Sequence, residues 1–182
     1  ERGASTDVAD YEGHTALTLA ARRGFAAIGR QLLRAGADPD ARGREGRVAL
    51  HEVCRKSSHR FAPRFLRGLA SAGADMRMRD DGGLTPLAHC VSCPPGAKYG
   101  DDEIRRQINN ESAVGGGVVP EREVLQLLLE RDAVTLNDQF EGGVTLLHMA
   151  AKANRVDAVS GIVDAGDVDV SKADDTGATP LH

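Results

Sequence analysis

Aromatic side chains are scarce in this chain: four Phe, two Tyr and no Trp among 182 residues. That weighs against an aromatic cage for a cationic ligand, and against a single-strand nucleic-acid groove built on base stacking. No apolar run approaches the roughly 20 residues that cross a bilayer as a helix, so no membrane contact is expected. Glu1 to Asp10 holds no apolar segment of the kind a signal peptide needs. The cysteines number three, an odd count that argues against a secreted disulfide framework. These absences point to an intracellular protein, cytoplasmic or nuclear, whose core must be built from small aliphatic side chains.

Charge is present but unevenly placed. The net charge is -4. Residues 1–80 carry 15 Lys and Arg against 10 Asp and Glu, whereas residues 81–182 carry 8 against 17. An elongated molecule would separate these halves and become a dipole.

One phrase recurs five times: Gly13-His-Thr-Ala-Leu-Thr18, Gly46-Arg-Val-Ala-Leu-His51, Gly83-Leu-Thr-Pro-Leu-Ala88, Gly143-Val-Thr-Leu-Leu-His148 and Gly177-Ala-Thr-Pro-Leu-His182. Its glycines lie 33, 37, 60 and 34 residues apart. A second phrase follows at a matching offset: Leu32-Leu33-Arg-Ala-Gly-Ala-Asp38, Leu69-Ala70-Ser-Ala-Gly-Ala-Asp75, Leu128-Leu129-Glu-Arg-Asp-Ala133 and Ile162-Val163-Asp-Ala-Gly166. The pair of phrases resembles the ankyrin repeat, with its period near 33 and its Thr-Pro-Leu-His signature. The resemblance implies an all-α repeat solenoid, with stacked helix–turn–helix units and short β-hairpin-like fingers.

The residues support that architecture independently. Thr15, Thr85, Thr145 and Thr179 stand where a helix should start and can cap its amides. Pro86 and Pro180 follow at the first helical position, where a missing N–H costs nothing. Small pairs come next, Ala20-Ala21 and Ala150-Ala151, and let helices approach closely. Gly24 or Asn154 breaks the chain, and a second helix is expected to bury Ile28, Leu32 and Leu33. Gly36, Gly73 and Gly166 should end the second helices in the left-handed conformation. No unit can bury both faces alone, so stability should be a nearest-neighbour sum.

The expected organisation is residues 1–9 as the tail of an earlier repeat, repeats at 10–42, 43–79, 80–139 and 140–173, and 174–182 as the start of a truncated further one. The second repeat carries about four extra residues within Lys56 to Pro63. The third carries a long insertion at about 93–119, rich in Pro and Gly, in which Asp101 to Glu111 could form a short helix. The insertion reads as a surface excursion or, alternatively, as a partner-docking element. The chain is expected to be a monomeric fragment cut from a longer array.

Sites for chemistry are few. Cys90-x-x-Cys93 beside His89 invites a zinc reading, and Cys54 lies near His51 and His59. Register places Cys90 and Cys54 where the first repeat has Ala20 and Ala21, so packing is expected instead of metal. Gly115 to Gly117 lacks the Lys-Ser/Thr of a phosphate loop, and Asn110-Glu-Ser112 is a sequon with no consequence inside a cell. Asn137 falls where ankyrin-like fingers often carry Asn. The family resemblance implies that His51, His148 and His182 bond backbone and neighbouring loops. No catalytic residue, cofactor or metal is expected.

The same resemblance places partner contacts on the finger tips and the exposed face of the first helices. In register these are Tyr11, Glu12, His14, Arg22 and Arg23; Arg44, Glu45, Arg47, Arg55 and Lys56; Asp81, Leu84 and Ser92; and Glu141, Val144, Lys152 and Ala153. Six of them are cations in the first two repeats. The expectation is a non-catalytic scaffold or adaptor module whose protein partner offers an acidic segment to that face, with no nucleic acid involved. The alternative is a substrate-recruiting segment of an enzyme whose catalytic domain lies elsewhere.

Overall fold

The computed structural model describes residues 5–56, 61–92, 120–131 and 136–181. The insertion at 93–119, its expected helix, Cys93, His59 and His182 lie outside the described residues. The helices are α1 (Ala16–Arg23), α2 (Ala26–Arg34), α3 (Ala49–Arg55), α4 (Ala62–Ser71), α5 (Pro86–Ser92), α6 (Pro120–Arg131), α7 (Leu146–Lys152) and α8 (Val156–Asp164). They form two parallel columns. The first helices α1, α3, α5 and α7 pack in succession, as do the second helices α2, α4, α6 and α8, and each first helix rests on its own second helix. This is the expected all-α repeat solenoid.

Local chemistry explains the helix starts. The Thr15, Thr85 and Thr145 hydroxyls accept the amides of Thr18, Ala88 and His148 at 3.2, 3.3 and 3.5 Å, each satisfying a donor with no partner inside the helix. Val48 has no such oxygen in the second repeat. There the His51 amide turns to the Val48 carbonyl at 3.0 Å, and the His51 ring accepts the Val48 amide through Nδ1 at 3.2 Å. Gly36, Gly73 and Gly166 end second helices at φ of +89°, +87° and +89°, and the chain folds back as Ala37 and Ala74 donate to the carbonyls of Leu32 and Leu69.

Leu17, Leu50, Leu87 and Leu147 share one register position and are all buried, as are Ala20, Ala21, Cys54 and Cys90 between successive first helices. Ile28 departs from expectation: it is half exposed. α2 packs on α4 through Gly29 instead, where an added Cβ would lie 2.2 Å from the Phe65 ring. The side of α2 that in α8 rests on α6 has no described neighbour. Ala151 is likewise exposed, since no described helix continues the column of first helices beyond α7.

The fingers are hairpin-like without being strands. In all five, one amide donates to the carbonyl four residues on: Asp10 to His14, Gly43 to Arg47, Asp80 to Leu84, Phe140 to Val144 and Asp174 to Ala178, at 2.8–3.0 Å. Among the described residues the β pairing is one isolated bridge, Gln139 to Thr145. Neighbouring fingers are tied directly, through Asp81 N–H to the Glu45 carbonyl and Asp175 N–H to the Gly142 carbonyl, both 3.0 Å. Deeper in the loops, the side chains of Asp7, Asp40 and Asn137 accept the amides of Asp38, Asp75 and Asp169, each in the next repeat, at 2.9–3.0 Å.

Gly73 meets no atom within 4 Å of an added Cβ, so a side chain there would suffer only from the positive φ. Gly73→Ala should lower stability by about 1 kcal/mol, read as an earlier midpoint in urea melts followed by circular dichroism.

Candidate functional site

Histidine joins the finger face to the core. His51 Nδ1 accepts from Val48, which leaves the proton on Nε2 to donate to the Leu84 carbonyl of the next finger at 3.1 Å. His148 repeats the arrangement: Nδ1 accepts the Thr145 amide at 3.2 Å, and Nε2 donates to the Ala178 carbonyl at 3.0 Å. Each ring therefore spans two repeats in its neutral form. Burial, with His89 beside it, holds His51 down from 6.5 to about 4. The two rings meet edge to face at 5.5 Å.

Around this pair lies a polar cluster that sequence reasoning missed. Glu52 is fully buried. Its carboxylate accepts from Arg47 Nε at 2.9 Å and pairs with Arg55 at 3.4 Å, while Arg47 also reaches Glu45. His89 Nε2 lies 2.7 Å from the Asp80 carboxylate. Burial holds His89 below its ordinary range despite that partner. Burial also pushes Asp80 upward, but its bonds to His89 and to the Leu84 amide prevail and keep the carboxyl low. The signal was present in the register. Glu52 and His89 occupy the first-helix position held by Leu19 and Met149, and Arg47 and Arg55 flank Glu52 within five residues.

A second missed residue is Arg155, fully buried at the start of α8. It grips Asp157 through two bonds of 2.8 and 2.7 Å and donates to the Cys90 carbonyl at 3.2 Å, in the last turn of α5. A cation there complements the negative end of the helix dipole. The matching residue of the first repeat is Phe25, so an apolar contact would have been expected.

The positions expected to meet a partner divide by burial. Tyr11, Glu12, Arg22, Arg23, Arg44, Asp81, Glu141 and Lys152 are exposed. Leu84, Val144 and Lys56 are half-buried. His14 is buried and receives a bond from Arg22 at 3.1 Å, which corrects its placement as a contact residue. Arg47 and Arg55 are likewise closed onto Glu52, and Arg44 lies 3.5 Å from Glu45, so the six cations do not form one open basic patch. The physical reason is the turn. The residue after each finger glycine offers its carbonyl to close the finger, and its side chain turns toward the first helices.

Between the third and fifth fingers the same face opens into a groove of about 1150 Å³, lined by Leu84, Ser92, Glu141, Val144, Met149 and Lys152 among others. Cys54 and Cys90 stay out of solvent, and burial pushes the Cys54 thiol up. Among the described residues no three His, Cys, Asp or Glu side chains are grouped to hold a metal, and no helix is long and apolar enough to cross a membrane.

The fold and the face define a repeat solenoid of the helix–turn–helix kind, and the comparisons name it. Residues 12–44 match the ankyrin repeat family. The chain is 33% identical to the E3 ubiquitin-protein ligase KEG of Arabidopsis thaliana over 84% of its own length, but over 10% of the ligase. It is 28% identical to NF-kappa-B inhibitor delta of Mus musculus over 81% of its length and 42% of the inhibitor. A shorter match, 40% identical over 42% of the chain and 16% of the relative, is to ankyrin repeat and SOCS box protein 16 of Mus musculus. The chain thus spans well under two thirds of these relatives. It belongs to the ankyrin-repeat proteins, whose repeats are protein-interaction modules.

Because His51 is held low, its stabilisation is complete above the unfolded value near 6.5 and is lost as pH falls toward 4, and His89, also held low, acts in the same direction. The unfolding free energy should therefore drop by on the order of 2–3 kcal/mol between neutral pH and pH 4, and His51→Ala should flatten that dependence in urea melts. Glu52→Ala should cost about 2–3 kcal/mol, less than a fully enclosed pair because both arginines reach water. Replacing Arg47 by Met together with Glu52 by Leu should recover most of that loss in the same melts.

Proposed function

We propose that this chain is a non-catalytic scaffold or adaptor segment of an intracellular protein, cytoplasmic or nuclear, and that its finger tips and first helices dock a protein partner. The observation that supports this reading most directly is the division of labour among polar groups. Among the described residues no buried side-chain donor or acceptor lacks a partner, while Tyr11, Arg22, Arg23, Arg44, Asp81, Glu141 and Lys152 project from one continuous run of fingers and first helices. The polar groups inside hold the stack, and those outside remain for a partner. On the first two repeats the exposed cations of this face are Arg22, Arg23 and Arg44, with Glu12 and Glu45 beside them, and these cations suit an acidic segment.

A second reading is favoured by the match to KEG, which covers 84% of this chain and a tenth of that ligase. In that reading the repeats are the substrate-recruiting arm of a larger enzyme. Both readings use the same docking face.

The test is a fluorescein-labelled peptide rich in Asp and Glu, titrated with the chain at low salt. Reversal of Arg22, Arg23 and Arg44 to Glu should leave the helical circular dichroism intact and weaken binding at least tenfold. A matched reversal of Arg30, Arg34 and Arg64 on α2 and α4, all exposed, should leave affinity unchanged. Equal affinity for the wild type and the first variant would reject the acidic partner segment.

A further inference from the structure

The residue after each finger glycine faces the first helices, and its chemistry changes along the array. It is His14 and Arg47 in the first two repeats, then Leu84, Val144 and Ala178 in the next three. The facing position on the first helices ends on Met149, whose sulfur receives the Ser92 hydroxyl at 3.4 Å. Leu84, Val144, Met149 and Ala178 are half-buried and line the groove between the third and fifth fingers. This apolar row replaces the polar cluster that fills the same face around Glu52.

The groove's edge is acidic. Glu141 and Asp174 line it, and exposed Asp175 stands on the fifth finger tip, while Asp81 on the third faces Arg42 at 3.7 Å. Lys152 is the cation among its described lining residues. Asp175 is held against the fourth finger by its amide bond to the Gly142 carbonyl, so the acidic edge is continuous between fingers. The acidic excess of residues 81–182, 17 against 8, falls in the same half.

We infer that this groove takes an extended partner segment in which apolar side chains alternate with Lys or Arg. Apolar side chains cover the Leu84–Val144–Met149 row, where water has few polar groups to bind. Cations between them meet Glu141 and Asp175 at the edge. An acidic segment meets like charge there and is turned away. This inference rests on the finger and first-helix face being the docking face. It assigns the second half of that face a partner chemistry opposite to the first, in keeping with the dipole of the chain.

The test uses three fluorescein-labelled ten-residue peptides, alternating Leu and Arg, Leu and Glu, or Gly and Arg, titrated with the full chain and read by fluorescence anisotropy. The Leu–Arg peptide should bind at least tenfold more tightly than either of the others. Val144→Arg should weaken it at least tenfold and should fold, because Val144 is half-buried on a groove open to water. Lys152→Glu, an exposed change, should tighten binding threefold or more. The inference is overturned if the Leu–Glu or Gly–Arg peptide binds as well, if no peptide binds, or if neither variant alters affinity. Failure here with the Asp- and Glu-rich peptide still bound to the first two repeats would remove only the groove. Failure of both would remove the docking face.

Discussion

A neutral imidazole that accepts at one nitrogen and donates at the other is the joint on which this array turns. His51 takes the first amide of its own helix and gives its proton to a carbonyl of the next finger, and His148 does the same one junction further on. One ring thus caps a helix and fixes the distance to the following repeat. Stacked repeats have no long-range core, and each junction must be secured by what two neighbours share. A protonated His51 has no acceptor for the Val48 amide, so at that junction the charge state of the histidine and the integrity of the contact are the same variable.

The remaining contacts between repeats follow that geometry. Once the fingers are spaced by the histidines, the Asp81 and Asp175 amides reach the preceding fingers. The carboxylate of Asp40 and the amide of Asn137 reach forward to the loops ahead. Asn137 belongs to this stitching, its side chain bonded to the backbone of both Asp167 and Asp169. At the third-to-fourth junction the matching loop residue is Arg77, which has no acceptor to offer. There the buried Arg155 ties α8 to the end of α5.

The architecture was legible in the sequence because it depends on residues whose physical role is nearly independent of context. A threonine before an apolar run caps a helix, glycine after one accepts a positive φ, and alanine or cysteine between helices permits close packing. Site residues were read less well, and the errors share one cause. Register locates a residue along the repeat, but burial depends on which way the backbone turns it. His14 and Arg47 were placed on the surface because they lie in a finger. The finger closes through their carbonyls, and that closure carries their side chains inward. Ile28 failed for a different reason: its counterparts Phe65, Val124 and Ala158 are buried, whereas the matching side of α2 has no described neighbour.

Charge shows the same limit more sharply. Counting residues makes the first two repeats a basic patch, yet Glu52 sits under it, fully buried between Arg47 and Arg55. A carboxylate in that position needs two cations to compensate its lost hydration. Those cations belong to the fold before they belong to any partner. The exposed remainder, Arg22, Arg23 and Arg44, is smaller and lies toward one end. In the fourth repeat the same first-helix position is Met149, with no buried ion beneath it among the described residues, and Glu141 stays at the edge. The surroundings of Glu52 and Met149 therefore differ in more than sign: around the first, charge is built into the packing, and around the second, the face is apolar and charge is left to its margin. A partner that reads this face meets fixed, internally paired charge at one end. At the other it meets an apolar row bordered by carboxylates.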